Sequence, residues 1–135
     1  RIEAMALLQE EAKLQEIVRL VGRDSLSELD QLKLEITKSL REDFLQQNAF
    51  HEVDTYCSLD KQFKMLKLIL FFYAEAQRAI KEGVYLNEIL ALPSREKITR
   101  AKNISEKELD TFDKIEEEIK EAVSKLIKEG GTTNA

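Results

Sequence analysis

Residues 41–70 read REDFLQQNAFHEVDTYCSLDKQFKMLKLIL, and the change of character inside this stretch decides the fold. An amphipathic helix runs out at Gln46-Gln47-Asn48, a polar-aromatic loop follows from Ala49 to Cys57, and a strongly apolar helix restarts at Ser58. The apolar positions of that second helix occupy two faces, Leu59/Phe63/Leu66/Leu70/Tyr73/Ile80 and Met65/Leu68/Phe72/Ala76/Ala79. A surface helix carries one apolar stripe, so a helix with two belongs in the middle. The pattern predicts an all-α antiparallel bundle of five or six helices around a long central helix of about 58–82, ended by Gly83.

Upstream, helical spacing predicts a helix over Ile2–Val21, with Leu14, Ile17, Val18 and Val21 on its inner face and Gly22 in the left-handed C-terminal conformation. The loop Arg23–Ser27 reverses the chain into a second helix with Leu29, Leu32, Ile36, Leu40 and Phe44 as its buried stripe, capped by Ser27 alone or by Ser25 with Glu28. Downstream, a short helix over Leu86–Leu92 is stopped by Pro93, and Ser94 can cap another through Ala101. Ser105 and Glu108 form a capping-box pattern opening a last helix to Glu129, with Leu109, Phe112, Ile115, Ile119, Ala122 and Leu126 on one side. Residues 1–129 are therefore expected to form one bundle domain and residues 130–135 a disordered tail.

Composition narrows the function classes. A chain of 135 residues, 43% hydrophobic and 35% charged, can bury one core without disulfides or metals. Its formal charge of −5 and scattered Lys/Arg positions argue against nucleic-acid binding, which needs a basic face. Cys57 is alone, so no intrachain disulfide can form, which favours an intracellular compartment. The apolar run Leu68–Tyr73 falls far short of the ~20 residues that span a bilayer, so any membrane connection must run through partners. The chain opens on Arg1 inside a periodic pattern, as a piece of something longer would.

Little here forms an active site. No Gly-x-x-x-x-Gly-Lys-Ser/Thr phosphate loop is present. His51, Glu52 and Asp54 make a poor metal site, and Cys57 with His51 lacks a third group to complete a nucleophile and base. Phe50 and Tyr56 have two physical readings. They anchor the loop to the core, or an aromatic face stacks on a purine while the side-chain amides of Gln47 and Asn48 pair with its edge.

NAFHEVDTYCSL, residues 48–59, closely resembles the C-terminal domain of the catalytic A subunit of archaeal-type and vacuolar-type rotary ATPases, and the likeness covers nearly the whole chain, weakest after Asn103. Residues 14–50 also look like the C-terminal domain of the F-type β subunit, whose Asp-Glu-Leu-Ser-Glu-Glu-Asp loop touches the rotating shaft. Asp24, Leu26, Ser27, Glu28 and Asp30 match that loop, while Ser25 and Leu29 depart from it. NAFHEVDTYCSL disfavours an F-type β fragment.

The A-subunit resemblance implies a fragment of an ion-translocating ATP synthase/ATPase. By it, Phe50, Gln47, Asn48 and Tyr56 contribute to the adenine pocket, and the tip Asp24, Ser25, Leu26, Ser27, Glu28, Leu29 and Asp30 contacts the central rotor stalk. It implies no catalytic residue and no metal site within the fragment, which alone is inactive. ATP/ADP and Mg belong to the full subunit, and the partners are B subunits, further A subunits and the stalk. Location would be cytoplasmic, peripheral to a membrane through the complex. The rival reading is a stand-alone helical adaptor holding a partner helix on the apolar run of the central helix.

Overall fold

The computed structural model describes residues 2–45 and 59–134, and among these it is an all-α bundle. Helix α1 spans Ile2–Val21 and α2 spans Glu28–Ser39, passing directly into a π-helical segment, Leu40–Leu45. Helix α3 covers Leu59–Lys81, α4 Leu86–Leu90, α5 Pro93–Arg100 and α6 Asp110–Asn134. Short 3-10 turns occupy Arg23–Ser25, Ala101–Asn103 and Glu106–Glu108.

Helix α3 is central, packing against α2 on one side and α6 on the other, while α1 lies on α2 and α5 on α6. The core is built from Phe72, Met65, Leu68, Ile69 and Ala76 of α3, Leu32 and Ile36 of α2, and Phe112, Ile119 and Val123 of α6, all 1% exposed or less. Burying each large side chain stabilises the fold by about 1.5–3 kcal/mol before chain entropy is counted. Lys64 to Asp113 (3.8 Å) and Lys67 to Glu116 (3.9 Å) tie α3 to α6, and Lys97 to Glu118 ties α5 to it.

Several expectations are corrected. On α1 the buried positions are Ala4, Leu7, Glu11 and Leu14, whereas Ile17 (37%) and Val21 (67%) face outward with Leu20 (71%). Position along the helix decides: α2 covers the 4-7-11-14 stripe, where Arg41 holds the buried Glu11 carboxylate, and the same stripe continues through the half-buried Val18 to Val21, losing its cover toward the tip. Of the two apolar faces of α3, Met65/Leu68/Phe72/Ala76/Ala79 is buried throughout, but the other leaves Leu59 (78%) and Phe63 (66%) exposed and buries Tyr73.

Pro93 does not end a helix so much as begin one, at the first position of α5, where its missing N–H costs nothing. Ser94 is therefore inside that helix, buried and not its cap, and Leu92 precedes it. Ser105 caps the 3-10 turn, its Oγ accepting from Lys107 N at 3.1 Å, and α6 starts only at Asp110. Helix α6 then continues through Gly130 to Asn134, past the end expected at Glu129, with Gly130 opposite Val84.

Glu116 lies half-buried against α3, and burial pushes its carboxyl above the ordinary carboxylate range although Lys67 and then Lys64 pull the other way. A raised folded-state value means the protonated form is the better tolerated one. Stability from this group is thus present below the unfolded carboxylate range and is lost as pH rises through the folded value. Glu116→Gln should raise the melting temperature at neutral pH and make little difference in acid. A melting-temperature difference that is constant from acid to neutral pH would remove the charge as its cause.

Candidate functional site

The tip between α1 and α2 is stiffened by a sequence of short bonds. Gly22 ends α1 with φ 91° and ψ 157°, a backbone that L side chains rarely adopt and that differs from the left-handed helical conformation expected there. Its N–H still closes the last turn on Val18 O (2.9 Å). Its carbonyl accepts from Ser25 Oγ (2.7 Å) and Ser25 N (3.3 Å), and Leu26 N donates to Arg23 O (3.0 Å), which forms the 3-10 turn.

Ser27 supplies the cap of α2, its Oγ accepting from Asp30 N at 3.1 Å. The Ser25 alternative does not form, because that hydroxyl is turned back to Gly22. Gln31 Nε2 donates to Leu26 O (3.0 Å), and Arg23 Nη2 donates to Glu35 Oε1 (3.0 Å), so side chains from α2 brace the turn from below.

The seven tip residues divide by what they face. Asp24, Ser25 and Ser27 are exposed, while Leu26 is buried and Leu29 half-buried, pinning the turn to the bundle. Glu28 Oε1 accepts from Leu86 N (3.2 Å), joining the tip to the start of α4. There Glu88 Oε2 also accepts from Tyr85 N (3.1 Å). Asp30 lies 3.8 Å from Lys33, whose ammonium donates to Glu10 Oε2 at 2.9 Å. That bond to Glu10 holds Lys33 above its ordinary value against the opposing effect of burial.

Only part of the acidic character therefore points outward, and the exposed apolar pair Leu20 and Val21 stands beside it at the end of α1. Sequence reasoning missed Val21 because helical phase puts it on the same face as Leu7 and Leu14; its exposure comes from lying at the end of α1, where that face loses its cover. Gln47, Asn48, Phe50 and Tyr56 lie outside the described residues, as do His51, Glu52, Asp54 and Cys57.

Two concavities occur elsewhere on the described surface. One of about 630 Å³ lies between α2 and the α4–α5 bend, where Glu35, Lys38, Glu42 and Arg95 mix charges over Leu92 and Pro93. Arg95 is committed there, donating to the buried Ser39 Oγ (2.7 Å) with its guanidinium 5.5 Å from the centre of the Phe72 ring. The other, about 320 Å³, is apolar and lies on α3. Among the described residues no group of three or more His, Cys, Asp or Glu side chains could hold a metal ion, and no helix is long and apolar enough to cross a membrane.

Fold and tip together define a helical bundle domain that projects a braced hairpin. Residues 1–90 match the family described as the C-terminal domain of V and A type ATP synthase, and the chain belongs to that family. It is 66% identical over all 135 residues to the V-type ATP synthase alpha chain of Clostridium botulinum strain Hall, and 63% identical to that of Clostridium perfringens strain 13. In both cases the whole of this chain is aligned, to 23% of the relative's length. The chain thus corresponds to less than a quarter of the proteins it resembles.

Proposed function

We propose that this domain serves in the catalytic subunit of a rotary ATP synthase/ATPase and couples nucleotide-driven motion of the rest of that subunit to a central rotor stalk. The observation that carries the reading is the braced tip. A lever must resist bending, and here the Ser27 cap, the Gly22–Ser25 bond and the Arg23–Glu35 pair fix the turn while Glu28 ties it to α4. Asp24, Leu20 and Val21 are the groups left to meet a partner surface. Two acidic positions of the F-type loop are replaced here by Ser25 and Leu29, which favours shape and stiffness over charge.

In this reading ATP hydrolysis or synthesis, coupled to ion transport, is a property of the assembly, and the fragment by itself has no activity. ATP or ADP with Mg is gripped by phosphate-binding groups elsewhere in the subunit. Further A subunits and B subunits complete the head, which is cytoplasmic and reaches the membrane through the complex. Phe50, with Tyr56, Gln47 and Asn48, contributes to the adenine pocket. Alignment of the chain to 23% of its relatives' length supports this over a stand-alone adaptor.

The tip is tested by replacing Leu26 and Leu29 together by glycine in the full complex. This removes the apolar anchor and, at Leu29, adds about 1 kcal/mol of helix penalty in the first turn of α2. Single-molecule torque should fall more than nucleotide affinity does. Torque equal to that of the unmodified complex would remove the lever role.

A further inference from the structure

The buried stripe of α1 is interrupted by a charge. Ala4, Leu7 and Leu14 are its apolar members, and between them Glu11 is only 8% exposed, with Arg41 Nη1 donating to its Oε2. Replacing a buried ion pair by apolar side chains of similar volume is often neutral or stabilising, so bundle stability alone gives no reason for a carboxylate at this position. The pair does fix a place. Arg41 is the second residue of the π-helical segment, thirty residues along the chain from Glu11.

A second arginine grips the same junction from a different helix. Arg95 of α5 donates to the Oγ of Ser39, the last residue of α2, at 2.7 Å, and Ser39 is buried. Between the two pinned residues Leu40 is buried in the core. The end of α2 is thus tied to α1 through Arg41 and to α5 through Ser39, at the step where α-helix becomes π-helix. Single π-helical turns of this kind occur frequently at functional sites.

We infer that Glu11 and Arg41, with Arg95, are positioning residues for nucleotide binding: they fix the start of the π segment and so set the placement of the adenine contacts that follow it in sequence, Gln47, Asn48 and Phe50. The inference rests on the adenine role proposed above for those residues. The π segment ends at Leu45 and Gln47 comes two residues later, so a displacement at residues 39–41 has little chain in which to dissipate. The two arginines and Glu11 act through this segment and not by touching the nucleotide.

The test measures nucleotide affinity, turnover at saturating ATP and melting temperature of the assembled complex for Arg41→Gln, Glu11→Gln, Phe50→Ala and their pairwise combinations. Arg41→Gln and Glu11→Gln should each weaken ATP affinity about three- to ten-fold, with turnover at saturating ATP changed much less. Together they should lose no more than either alone, since both break the same bond. In a Phe50→Ala background Arg41→Gln should cost less than in the parent, because the main contact it positions has gone. Arg41→Gln weakening affinity while Glu11→Gln does not would put Arg41 on the nucleotide itself and overturn the inference. Full additivity with Phe50→Ala would also overturn it, as would a lower melting temperature with unchanged affinity, which makes the pair structural. Phe50→Ala by itself separates the two layers. If it leaves affinity unchanged, the adenine role fails and the inference with it; if it weakens affinity and the Glu11 and Arg41 variants do not, only the inference fails.

Discussion

Phe72→Ala should cost the domain about 3–5 kcal/mol, the range for truncating a buried phenylalanine that cannot be replaced by collapse of its surroundings. Phe72 is 1% exposed on the central helix, and its ring also carries the Arg95 guanidinium at 5.5 Å. Removing the ring leaves Arg95 with only the Ser39 hydroxyl of its two described contacts, adding about 0.5–1 kcal/mol. Against a usual total of about 5–15 kcal/mol this is a large fraction. The urea midpoint should drop steeply with an unchanged slope. Phe63→Ala is the control, since its ring is 66% exposed in this chain and should change stability by no more than about 0.5 kcal/mol. Equal losses from the two variants would mean that α3 is not central.

Phe50→Ala should act on nucleotide binding in the assembled enzyme. Stacking of an aromatic side chain on a base is worth about 1–3 kcal/mol, which corresponds to roughly five- to a hundred-fold in affinity if the scale transfers from single-strand binders. In the proposed reading phosphate chemistry is handled by residues elsewhere in the subunit, so turnover at saturating ATP should fall much less than affinity. Phe50→Tyr keeps the ring and should be mild. Normal nucleotide affinity in a complex carrying Phe50→Ala, together with unfolding of the isolated domain, would instead make Phe50 a structural anchor.

The helices themselves are legible in the residues because each has a local cause. Gly22 and Gly83 take φ values of 91° and 97° that stop α1 and α3, and Ser27 caps α2 within a single turn. Stripe phase is less legible. On α1 Leu7, Leu14 and Val21 share one face, yet burial stops after Leu14, because cover fades toward the tip in a way that periodicity does not report. Pro93 misleads for a similar reason, because the residue that stops one helix is also the best first residue of the next. On α6, Val123 is fully buried where the stripe pattern selects the half-buried Ala122, because the buried face steps by four residues from Ile115 to Ile119 and again to Val123.

At the site, an acidic loop reads as a charged surface until its partners are known. Glu28 and Asp30 have inward partners in Leu86 N and Lys33, facts that depend on residues far along the chain or one turn away. Phe50 and Tyr56 carry no local signal that separates a stacked ring from an anchored one, since both require an aromatic in a polar loop. The proposed adenine role rests on the likeness of NAFHEVDTYCSL to a family, and Phe50 and Tyr56 lie outside the described residues.

The passage from α-helix to π-helix at Ser39–Leu40 turns length into direction. A π-turn closes on the fifth residue back and an α-turn on the fourth, so the segment Leu40–Leu45 holds one residue more per turn than α-helical pairing would accept. Deleting a single residue there would let the ladder relax into ordinary α pairing with little change of phase beyond it, whereas a deletion within α2 would rotate everything downstream by about 100° around the axis. The segment is thus a slot that takes up one residue, so single-residue deletions should be gentle for the bundle across 40–45 and severe across 28–39.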